Sequence, residues 1–512
     1  MTQLPLDSEF ADLLEPFDLH NQELLSQVHP PEWVNPEPAD RYHLVVLGGG
    51  TAGLVSAAGA AGLGARVALV ERRFLGGDCL NYGCVPSKAL ISASRAWNQA
   101  RNAAEAFSGP ATTGDGDFGE VMARMRRLRA KISHHDSAER FRGLGVDVFI
   151  GNGEFVATDA LEVDGKRLAF RRAVIATGAR PMMLPIPGLA EAEPLTNETV
   201  FTLTELPPRL GVIGAGPIGC ELAQSFARFG SRVSLFDIAP QVLIREDADA
   251  ARIIQDRLIA DGVDLQLGVN IGNVQRQGSE TLLDLEKDGA ASRITVDQLL
   301  VAVGRVPNSE GLGLDPAGVE ASKHGVTVND RLCTSNPRIF AVGDVASRYK
   351  FTHMADALAR IAIQNALFFG RKRASDLVVP WCTYTDPEIA HVGLYAGDAE
   401  KAGLEIESLT LSLEEVDRSL LEGSTEGFLR LHVRKGKDEI VGATLVADHA
   451  GDMLGELALA VTHKMGLGKI ASTIHPYPTQ AEVIKKAADA WQRRKLTPIV
   501  QRVFELFFRL FR

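Results

Sequence analysis

One local pattern occurs twice in this chain, and the repetition limits the possible folds more than any other feature of the sequence. The first copy has an apolar strand at residues 43–47, a glycine turn at residues 48–53, a helix of small residues, and a second strand that stops at Glu71. In such a unit the glycines permit a tight turn, a close backbone approach to a pyrophosphate and close packing of helix on strand. We therefore predict a dinucleotide site formed by Gly48, Gly50, Gly53 and, for the adenosine ribose, Glu71.

The second copy has the same order of elements. A strand at residues 210–213 leads into a glycine turn at residues 214–219, a helix, and a strand that ends at Asp237. Two such units predict an α/β fold with two Rossmann-like dinucleotide-binding domains. The residues predicted to form the second site are Gly214, Gly216, Gly219 and Asp237.

Two cysteines follow the first unit closely. Residues 76–88 contain Cys79 and Cys84 beside a glycine pair and a lysine. A thiol pair in a soluble protein can be structural, can bind a metal or can be redox-active. The spacing is too wide for a zinc knuckle and no later Cys/His pair completes four ligands, so we predict no metal site.

The thiols assign a cofactor to each turn. A chain that binds two dinucleotides beside a dithiol most simply passes hydride from a nicotinamide to a flavin and then electrons to sulfur. The first turn, next to the thiols, is therefore expected to bind FAD, and the second turn the nicotinamide. Because Asp237 would accept hydrogen bonds from ribose hydroxyls and repel a 2′-phosphate, we expect NADH to be preferred over NADPH.

Further motifs make the chain resemble one enzyme family. They are Ala176-Thr177-Gly178, Ala302-Val303-Gly304-Arg305, Ala341-Val342-Gly343-Asp344 and Pro478-Thr479-Gln480-Ala481-Glu482, in the family's order. With these motifs, residues 41 to about 490 resemble the class I pyridine nucleotide-disulfide oxidoreductases, the group of dihydrolipoamide dehydrogenase, glutathione reductase and mercuric reductase. The resemblance implies an NAD(P)H-dependent flavoprotein disulfide oxidoreductase that has a C-terminal α+β dimerisation domain and works as a homodimer.

The resemblance also assigns roles to single residues. It implies that Cys84 is the sulfur next to the flavin and that Cys79 meets the substrate. Lys88 and Glu221 match the family's ion pair beside the flavin ring, although without the resemblance they fit a surface salt bridge better. Asp344 matches the residue that holds the ribityl chain. The other residues implied to bind cofactor are Gly77, Thr177, Gly178, Gly304 and Arg305.

Local chemistry favours a reactive Cys84. Pro86 suits the first turn of a helix, and the positive N-terminal end of that helix favours a thiolate at Cys84. The other cysteines, Cys220, Cys333 and Cys382, are expected to be small buried hydrophobes.

The substrate side departs from the pattern of the disulfide reductases. Where those enzymes carry a histidine that acts as acid and base, this chain has Tyr477, as mercuric reductases do. A tyrosine is too weak an acid to shuttle protons well at neutral pH. The extra cysteines with which mercuric reductases deliver Hg(II) are missing after Cys382 and before Cys79.

These observations leave three functions open. The first is electron transfer from NAD(P)H through FAD to the Cys79/Cys84 disulfide and on to a metal ion, as in mercuric reductases, or to a small electrophilic acceptor. The second is a dihydrolipoamide dehydrogenase or another disulfide reductase that has replaced its histidine. The third is a non-enzymatic flavin redox sensor or partner-binding subunit. The predicted catalytic residues are Cys79, Cys84, Lys88, Glu221, Tyr477 and Glu482.

The motif positions predict the domain boundaries. Residues 41–190 and 305–375 are expected to form the FAD-binding domain, with the NAD(P)-binding domain, residues 191–304, inserted between them. Residues 376–490 would form the interface domain. Residues 1–40 are expected to be a separate extension and linker without a chemical role, and residues 491–512 an amphipathic C-terminal helix.

Charge and hydropathy exclude other classes. A formal net charge of -11 without a basic stripe argues against a nucleic-acid partner. No apolar run reaches the roughly 18 residues of a membrane span, and the acidic N-terminus lacks a signal-peptide pattern. We therefore expect a cytoplasmic protein.

The C-terminal segment adds one further expectation. In residues 497–512 apolar side chains at helical spacing leave Gln501, Glu505, Arg509 and Arg512 on one stripe. Such a helix could pack on the partner subunit or lie on a membrane surface. Packing is the simpler interpretation because Glu505 weakens attraction to anionic lipid, and peripheral membrane contact is the alternative.

Overall fold

The structure is a computed structural model that describes residues 10, 12–112, 114 and 116–511. The α-helices in this part of the chain are α1 (Leu19–Val28), α2 (Thr51–Gly62), α3 (Gly77–Asn81), α4 (Cys84–Phe107), α5 (Phe118–Ser133), α6 (Ala138–Gly143), α7 (Pro217–Phe229), α8 (Ala248–Ala260), α9 (Leu314–Ala317), α10 (Thr352–Leu367), α11 (Ala396–Lys401), α12 (Asp417–Glu422), α13 (Ala450–Thr462), α14 (Leu467–Ser472), α15 (Glu482–Arg493) and α16 (Pro498–Leu510).

The strands of the same residues are β1 (Tyr42–Leu47), β2 (Val67–Glu71), β3 (Val146–Ile150), β4 (Gly153–Ala157), β5 (Ala160–Val163), β6 (Lys166–Ile175), β7 (Ala179–Pro181), β8 (Arg209–Ile213), β9 (Arg232–Asp237), β10 (Asp264–Leu267), β11 (Asn270–Gln277), β12 (Glu280–Lys287), β13 (Ala290–Val296), β14 (Gln298–Val301), β15 (Arg305–Pro307), β16 (Ala321–Ser322), β17 (Gly325–Val326), β18 (Ile339–Ala341), β19 (Pro380–Thr383), β20 (Glu388–Gly393), β21 (Ile406–Ser412), β22 (Phe428–Arg434) and β23 (Ile440–Ala447).

The described residues divide into two compact units. Unit 1 lies within Met1–Arg101, Ala111–Pro240 and Gly262–Asp376, and unit 2 lies within Asn102–Pro110, Gln241–Asp261 and Leu377–Arg512. The division into five regions that the sequence predicts remains a prediction.

Unit 1 contains a seven-stranded sheet in the order β3-β2-β1-β6-β5-β4, with β18 paired to the second half of β6. Strands β3, β2, β1, β6 and β18 run parallel, and Val45 of β1 lies between Ala68 and Ala173. The residues of β1 and β2 are mostly apolar and buried, as expected of parallel strands covered on both faces. The carboxyl ends of these strands lie at one edge of the sheet. The first glycine turn follows β1 there, Glu71 is the last residue of β2, and Asp344 follows β18.

A second parallel sheet in unit 1 repeats this order. Its strands are arranged β10-β9-β8-β14, and the second glycine turn joins β8 to α7. The antiparallel strands β11, β12 and β13 add an apolar face, and Phe236, Leu283 and Leu299 share one buried core. Each copy of the repeated sequence pattern therefore forms an α/β unit of the predicted class.

Unit 2 contains a five-stranded antiparallel sheet in the order β19-β20-β23-β22-β21. Helices α13, α14 and α15 pack with this sheet around a core that includes Leu431, Leu445, Leu457 and Ile484. An antiparallel sheet with helices packed on it is the α+β arrangement that the sequence predicts for this part of the chain.

The described part of the N-terminal extension packs within unit 1, although the sequence suggests a segment that stands apart. Helix α1 buries Leu24, Leu25 and Val28. Beyond it, the Trp33 indole N–H donates to the carbonyl of Val148, and the Asn35 side chain makes two hydrogen bonds with the backbone of Ile150. Since β3 is an edge strand, the extension satisfies backbone groups that would otherwise lack partners. Residues 1–9 and 11 lie outside the described residues.

The C-terminal helix α16 begins after Thr497, whose hydroxyl accepts the N–H of Val500. Every residue of α16 is described, and none of them is buried. Within the described ranges, no helix has both the length and the apolar character needed to cross a membrane. Arg512, the last residue of the predicted amphipathic segment, lies outside the described residues.

Candidate redox site

The two glycine turns have matching backbone geometry. Gly48 and Gly214 adopt φ angles of +108° and +107°, a region that side chains other than glycine avoid. A Cβ atom at Gly48 would lie 2.4 Å from the carbonyl oxygen of Ala176, and one at Gly214 would lie 2.7 Å from that of Ala302. Each turn therefore lies against the end of a parallel strand, and neither position has room for a side chain.

The glycines at the helix starts differ because they face open space. Gly50 and Gly216 are the N-caps of α2 and α7. A Cβ atom at Gly216 would meet nothing within 4 Å, and at Gly50 its nearest neighbour would be the Cα of Gly77 at 3.7 Å. The amide groups at a helix N-terminus attract anions, so both open turns fit the pyrophosphate of a dinucleotide.

The third glycine of each turn serves the packing of helix on strand. A Cβ atom at Gly53 would lie 1.7 Å from the carbonyl oxygen of Gly48, and at Gly219 it would lie 1.8 Å from that of Gly214. Any side chain at either position would force the helix away from the turn.

The two acids also occupy matching positions. Glu71 accepts the N–H of Gly49 at 2.5 Å, and Asp237 accepts the N–H of Ala215 at 2.6 Å. Each carboxylate thus binds the second residue of its own glycine turn. Because a carboxylate has about four acceptor positions, each acid can still accept hydrogen bonds from ribose hydroxyls.

The segment that carries the thiols lies on the first glycine turn. Gly76 donates its N–H to the carbonyl of Gly49 at 2.9 Å and pairs with Gly50 in an isolated β-bridge. A Cβ atom at Gly77 would lie 2.6 Å from the Cα of Gly50. Helix α3 then contains Cys79, and α4 begins at Cys84, so the thiols follow the proposed flavin turn directly.

The two thiols differ in their protonation. Cys79 hydrogen-bonds to Cys84, the Thr352 hydroxyl lies 3.4 Å from the Cys84 sulfur, and Lys88 adds positive charge. These contacts lower the pKa of Cys84 to about 6, and the hydrogen bond with Cys79 has the largest effect. The same hydrogen bond, together with burial, raises the pKa of Cys79. At neutral pH the reduced pair therefore consists of a Cys84 thiolate and a Cys79 thiol.

Lys88 and Glu221 form an ion pair within unit 1. The Lys88 ammonium on α4 lies 2.8 Å from a carboxylate oxygen of Glu221 on α7. Glu221 is only 5% exposed, so the pair is not the surface salt bridge that the residues alone suggest. A cation on α4 is thereby held one helical turn after Cys84.

Arg305 connects the thiol segment to the end of β18. Its guanidinium lies 3.0 Å from Asp78 and 3.7 Å from Asp344, and it donates to the carbonyl of Ala179 at 2.6 Å. Burial raises the pKa of Asp344, and Arg305 opposes that rise. Among the described residues, the buried Nε of Arg305 has no hydrogen-bond partner, so a polar group such as a ribityl hydroxyl fits between Arg305 and Asp344.

The remaining predicted cofactor residues shape the backbone nearby. The Thr177 hydroxyl donates to the carbonyl of Asn308, and the Asn308 side chain donates back to the carbonyl of Thr177. Gly178 and Gly304 adopt φ angles of +69° and +134°. The contacts between Thr177 and Asn308 join the segment after β6 to the residue that follows β15, next to the paired strands β7 and β15.

The substrate-side residues of the motif lie in unit 2. Tyr477 donates to a carboxylate oxygen of Asp417 at 2.9 Å, and this hydrogen bond raises the pKa of Tyr477. Lys486 lies 3.5 Å from the same carboxylate. Glu482 begins α15, and in the described part of the chain its buried Oε2 has no hydrogen-bond partner. Tyr477 is thus bonded to Asp417, and its raised pKa makes it a poorer proton donor still.

His475 has a different environment. Its Nε2 lies 3.0 Å from a carboxylate oxygen of Glu456. Its Nδ1 lies 3.2 Å from the carbonyl oxygen of Thr473, so both ring nitrogens have partners within unit 2.

Three features of the site were not predicted from the sequence. Asp78 is adjacent to Cys79, and that proximity is a signal that could have identified it. Thr352 comes from a segment without a recognisable motif, yet its hydroxyl contacts Cys84. The third feature is a chain of buried polar residues that begins in the N-terminal extension.

This buried chain links the extension to the thiol segment. Asn21 of α1 accepts a hydrogen bond from Arg129 of α5 at 2.7 Å, and Arg129 also donates to the carbonyl of Asn81 at 2.8 Å. The Asn81 side chain in turn donates to the carbonyls of Leu75 at 3.1 Å and Gly77 at 2.8 Å. The extension therefore supports the backbone that carries the thiols, although the sequence offers no reason to give it a role.

Across the residues that the structure describes, no group of three or more His, Cys, Asp or Glu side chains is arranged to hold a metal ion.

Comparisons with known proteins agree with this geometry. Residues 42–359 match the family model for pyridine nucleotide-disulphide oxidoreductases, and residues 379–488 match the dimerisation domain of the same family. A mercuric reductase of Staphylococcus aureus is 34% identical over 87% of this chain and 82% of its own length. A dihydrolipoyl dehydrogenase of Geobacillus stearothermophilus is also 34% identical, over 87% of this chain and 95% of its own length.

Solved structures show the same relationship. The flavoprotein disulfide reductase RclA from Escherichia coli is 27% identical, with a TM-score of 0.77 over 88% of this chain and 99% of its own. LpdA from Mycobacterium tuberculosis is 26% identical, with a TM-score of 0.79 over 88% of this chain and 100% of its own. The predicted fold and enzyme classes are confirmed, and the family binds FAD and uses NAD(P)H. The chain belongs to the pyridine nucleotide-disulphide oxidoreductases.

Proposed function

We propose that the protein uses NADH to reduce the Cys79/Cys84 disulfide and passes the two electrons on to a metal ion or a small electrophilic acceptor. The observation that carries this proposal is the contact between the two thiols: Cys79 hydrogen-bonds to Cys84, whose sulfur also lies 3.4 Å from the Thr352 hydroxyl, and these contacts favour the Cys84 thiolate. When bound, the flavin supplies two-electron chemistry between a nicotinamide and a disulfide.

The residues around the cofactors bind and orient them in this proposal. The open N-termini of α2 and α7 hold the two pyrophosphates, and Glu71 and Asp237 accept hydrogen bonds from the adenosine riboses. Asp344 and Arg305 bind the ribityl chain of the flavin. Asp237 also disfavours the 2′-phosphate of NADPH, which is the reason for proposing NADH.

The thiols carry the electrons to the acceptor. The Cys79 thiol loses its proton as it attacks or coordinates the acceptor, and the Cys84 thiolate closes the disulfide again. Two electrons leave, either on one two-electron acceptor such as Hg(II) or on two ions of a one-electron acceptor such as Cu(II). The S–S bond that forms replaces one thiol, whose proton is released, and one thiolate. Lys88 stabilises negative charge near Cys84 throughout, because its ammonium is held by the buried Glu221.

The acceptor class follows from Tyr477 and from the chemistry of sulfur. Disulfide exchange needs a group that moves protons near neutral pH, and Tyr477 has a pKa raised above its ordinary value. Soft metal ions bind thiolates and need no such base. Mercuric reductases are among the relatives, and RclA has been crystallised as a Cu(II) complex.

Reduction of lipoamide or of another disulfide is the second candidate. It is favoured by the dihydrolipoyl dehydrogenases among the relatives, at the same identity as the mercuric reductase. The third candidate, a redox sensor without turnover, is weaker because the family consists of enzymes.

Anaerobic titration with NADH tests the proposal. Addition of one equivalent should produce a long-wavelength absorption band from the Cys84 thiolate beside the flavin, and its absence would contradict the assigned thiol pair. Turnover should then be measured with Hg(II), Cu(II), lipoamide and a small quinone. Turnover with a metal ion or the quinone well above that with lipoamide is expected. Lipoamide as the best acceptor would select the second candidate, and no turnover at all would select the third.

We also propose a cytoplasmic homodimer. The match of residues 379–488 to a dimerisation domain supports the dimer. Peripheral contact of residues 497–512 with a membrane surface is a separate proposal, and the exposed apolar side chains of α16 support it.

A further inference from the structure

Helix α16 exposes an unusually large apolar surface. The side chains of Ile499, Val503, Leu506 and Leu510 and of Phe504, Phe507, Phe508 and Phe511 are all between 48% and 74% exposed. At 3.6 residues per turn, the apolar side chains cover roughly 200° of the helix. The remaining stripe contains Gln501, Arg502, Glu505 and Arg509. The apolar stripe with which a helix packs on a single neighbouring helix is narrower than this apolar face.

The charge of this segment is opposite to that of the rest of the protein. Residues 493–512 contain Arg493, Arg494, Lys495, Arg502, Arg509 and Arg512 against the single acid Glu505, whereas the whole chain has a formal net charge of -11. The basic residues therefore outnumber the acid in the segment that contains the exposed apolar side chains of α16. This combination complements an anionic lipid surface, which offers both phosphate groups and an acyl boundary.

We infer that helix α16 binds an anionic membrane surface and lies in the plane of the interface. The phenylalanine face enters the boundary between headgroups and acyl chains, and Arg502 and Arg509 contact lipid phosphates from the opposite edge. The attraction of Arg493 and Lys495, added to that of Arg502 and Arg509, outweighs the repulsion from Glu505, whereas Arg494 is already paired with Glu407 at 3.7 Å. This balance is the reason to prefer lipid over the partner subunit. The inference rests on the membrane contact proposed above and is independent of the reductase activity.

Flotation of the FAD-loaded protein with vesicles tests this inference. We expect the protein to float with vesicles that contain phosphatidylglycerol and not with vesicles of phosphatidylcholine alone. Deletion of residues 497–512, or the pair Phe507→Ser and Phe508→Ser, should lower the floating fraction at least ten-fold. The control Phe107→Ser changes a phenylalanine that is 65% exposed outside the tail and should leave flotation unchanged. The pair Arg502→Glu and Arg509→Glu should weaken binding to the anionic vesicles at low salt.

Two results would overturn the inference. One is that the full-length and the deleted proteins float equally, or that neither of them floats. The other is conversion of a dimer to a monomer by the deletion in sedimentation velocity, because the helix would then pack on the partner subunit. Reduction by NADH, measured by absorbance on the same samples, separates the membrane proposal from the proposed reductase function. A deleted protein that is still reduced but does not float retains its fold, and a protein that floats without being reduced refutes only the proposed reductase function.

Discussion

The hydroxyl of Thr352 lies 3.4 Å from the sulfur of Cys84, although 268 residues separate them in the chain. Helix α10 begins at Thr352 and α4 begins at Cys84, so two helix starts meet at this sulfur. The contact adds to the hydrogen bond from Cys79 and the charge of Lys88 in favouring the thiolate.

Replacement of Thr352 by valine should make the Cys84 thiol less acidic. A hydrogen bond to a charged group contributes about 1.5 kcal/mol, which corresponds to an upward pKa shift of about one unit. In the wild type the thiolate should form as the pH rises through about 6 and be lost below it. The rate of alkylation of the reduced protein by iodoacetamide, measured against pH, gives the midpoint. Thr352→Ser keeps the hydroxyl and should retain the wild-type midpoint, and an unshifted Thr352→Val would disprove the role of this contact.

Replacement of Lys88 by methionine should weaken both stability and reduction. Glu221 is buried and would lose its lysine partner, at a cost of about 2 kcal/mol, since Lys88 itself is partly exposed. Guanidinium unfolding measures this change. Arg252→Met is a matched control, because Arg252 and Asp256 form an exposed pair that should contribute less than about 0.5 kcal/mol. The proposed role at the flavin also predicts slower reduction by NADH for Lys88→Met alone, and equal rates for the two variants would exclude that role.

Replacement of Tyr477 by histidine should increase turnover with lipoamide. Histidine can exchange protons near neutral pH, and a positioned general acid or base accelerates such steps by about a hundred-fold. Steady-state rates with lipoamide and with Cu(II) should be compared. Tyr477→Phe removes only the hydrogen bond to Asp417 and should leave lipoamide turnover low. High lipoamide turnover in the wild type would contradict the assignment of the acceptor.

Replacement of Asn21 by alanine should affect the redox pair from a distance. The change removes the acceptor of a buried Arg129 N–H, which should lower the free energy of unfolding by about 2 kcal/mol. It also loosens Arg129, whose side chain donates to the carbonyl of Asn81. We expect a shift in the reduction potential of the Cys79/Cys84 pair, measured by equilibration with glutathione.

Asn35→Ala is the control for Asn21→Ala. Asn35 belongs to the same extension, but it bonds to Ile150 on the edge strand. Asn35→Ala should lower the free energy of unfolding by about 1 kcal/mol without changing the reduction potential of the Cys79/Cys84 pair. If both variants shift the potential equally, the extension acts only through stability.

Replacement of Asp237 by asparagine should change the preference between the nicotinamides. The amide oxygen can still accept one of the backbone N–H groups from Ala215 and Ala239, but the negative charge is gone. The ratio of kcat/KM for NADPH to that for NADH should rise about ten-fold, equivalent to about 1.4 kcal/mol. A wild-type enzyme with the higher kcat/KM for NADPH would show that the acid does not set the preference.

Local patterns were sufficient to predict the dinucleotide folds. A strand, a glycine turn, a helix and an acid lie within about thirty residues, and their geometry depends on neighbours in sequence. This explains why Gly48 and Gly214 could be identified as turn glycines and why the strands of each unit, β1 with β2 and β8 with β9, pair in parallel. The thiol pair could be identified for the same reason, since Cys79 and Cys84 belong to one short segment.

The sequence by itself therefore determined the α/β class, the two dinucleotide turns and the dithiol, because each is encoded by spacing within a short stretch. Only the tertiary structure decided which distant groups act on them. Thr352 reaches Cys84, Arg305 joins Asp78 to Asp344, and Asn21 supports Asn81 through Arg129. Parallel strands bring the carboxyl ends of distant segments to one edge, and a buried polar group needs a partner wherever the fold supplies one. No local spacing records such contacts, so they become visible only when the chain is folded.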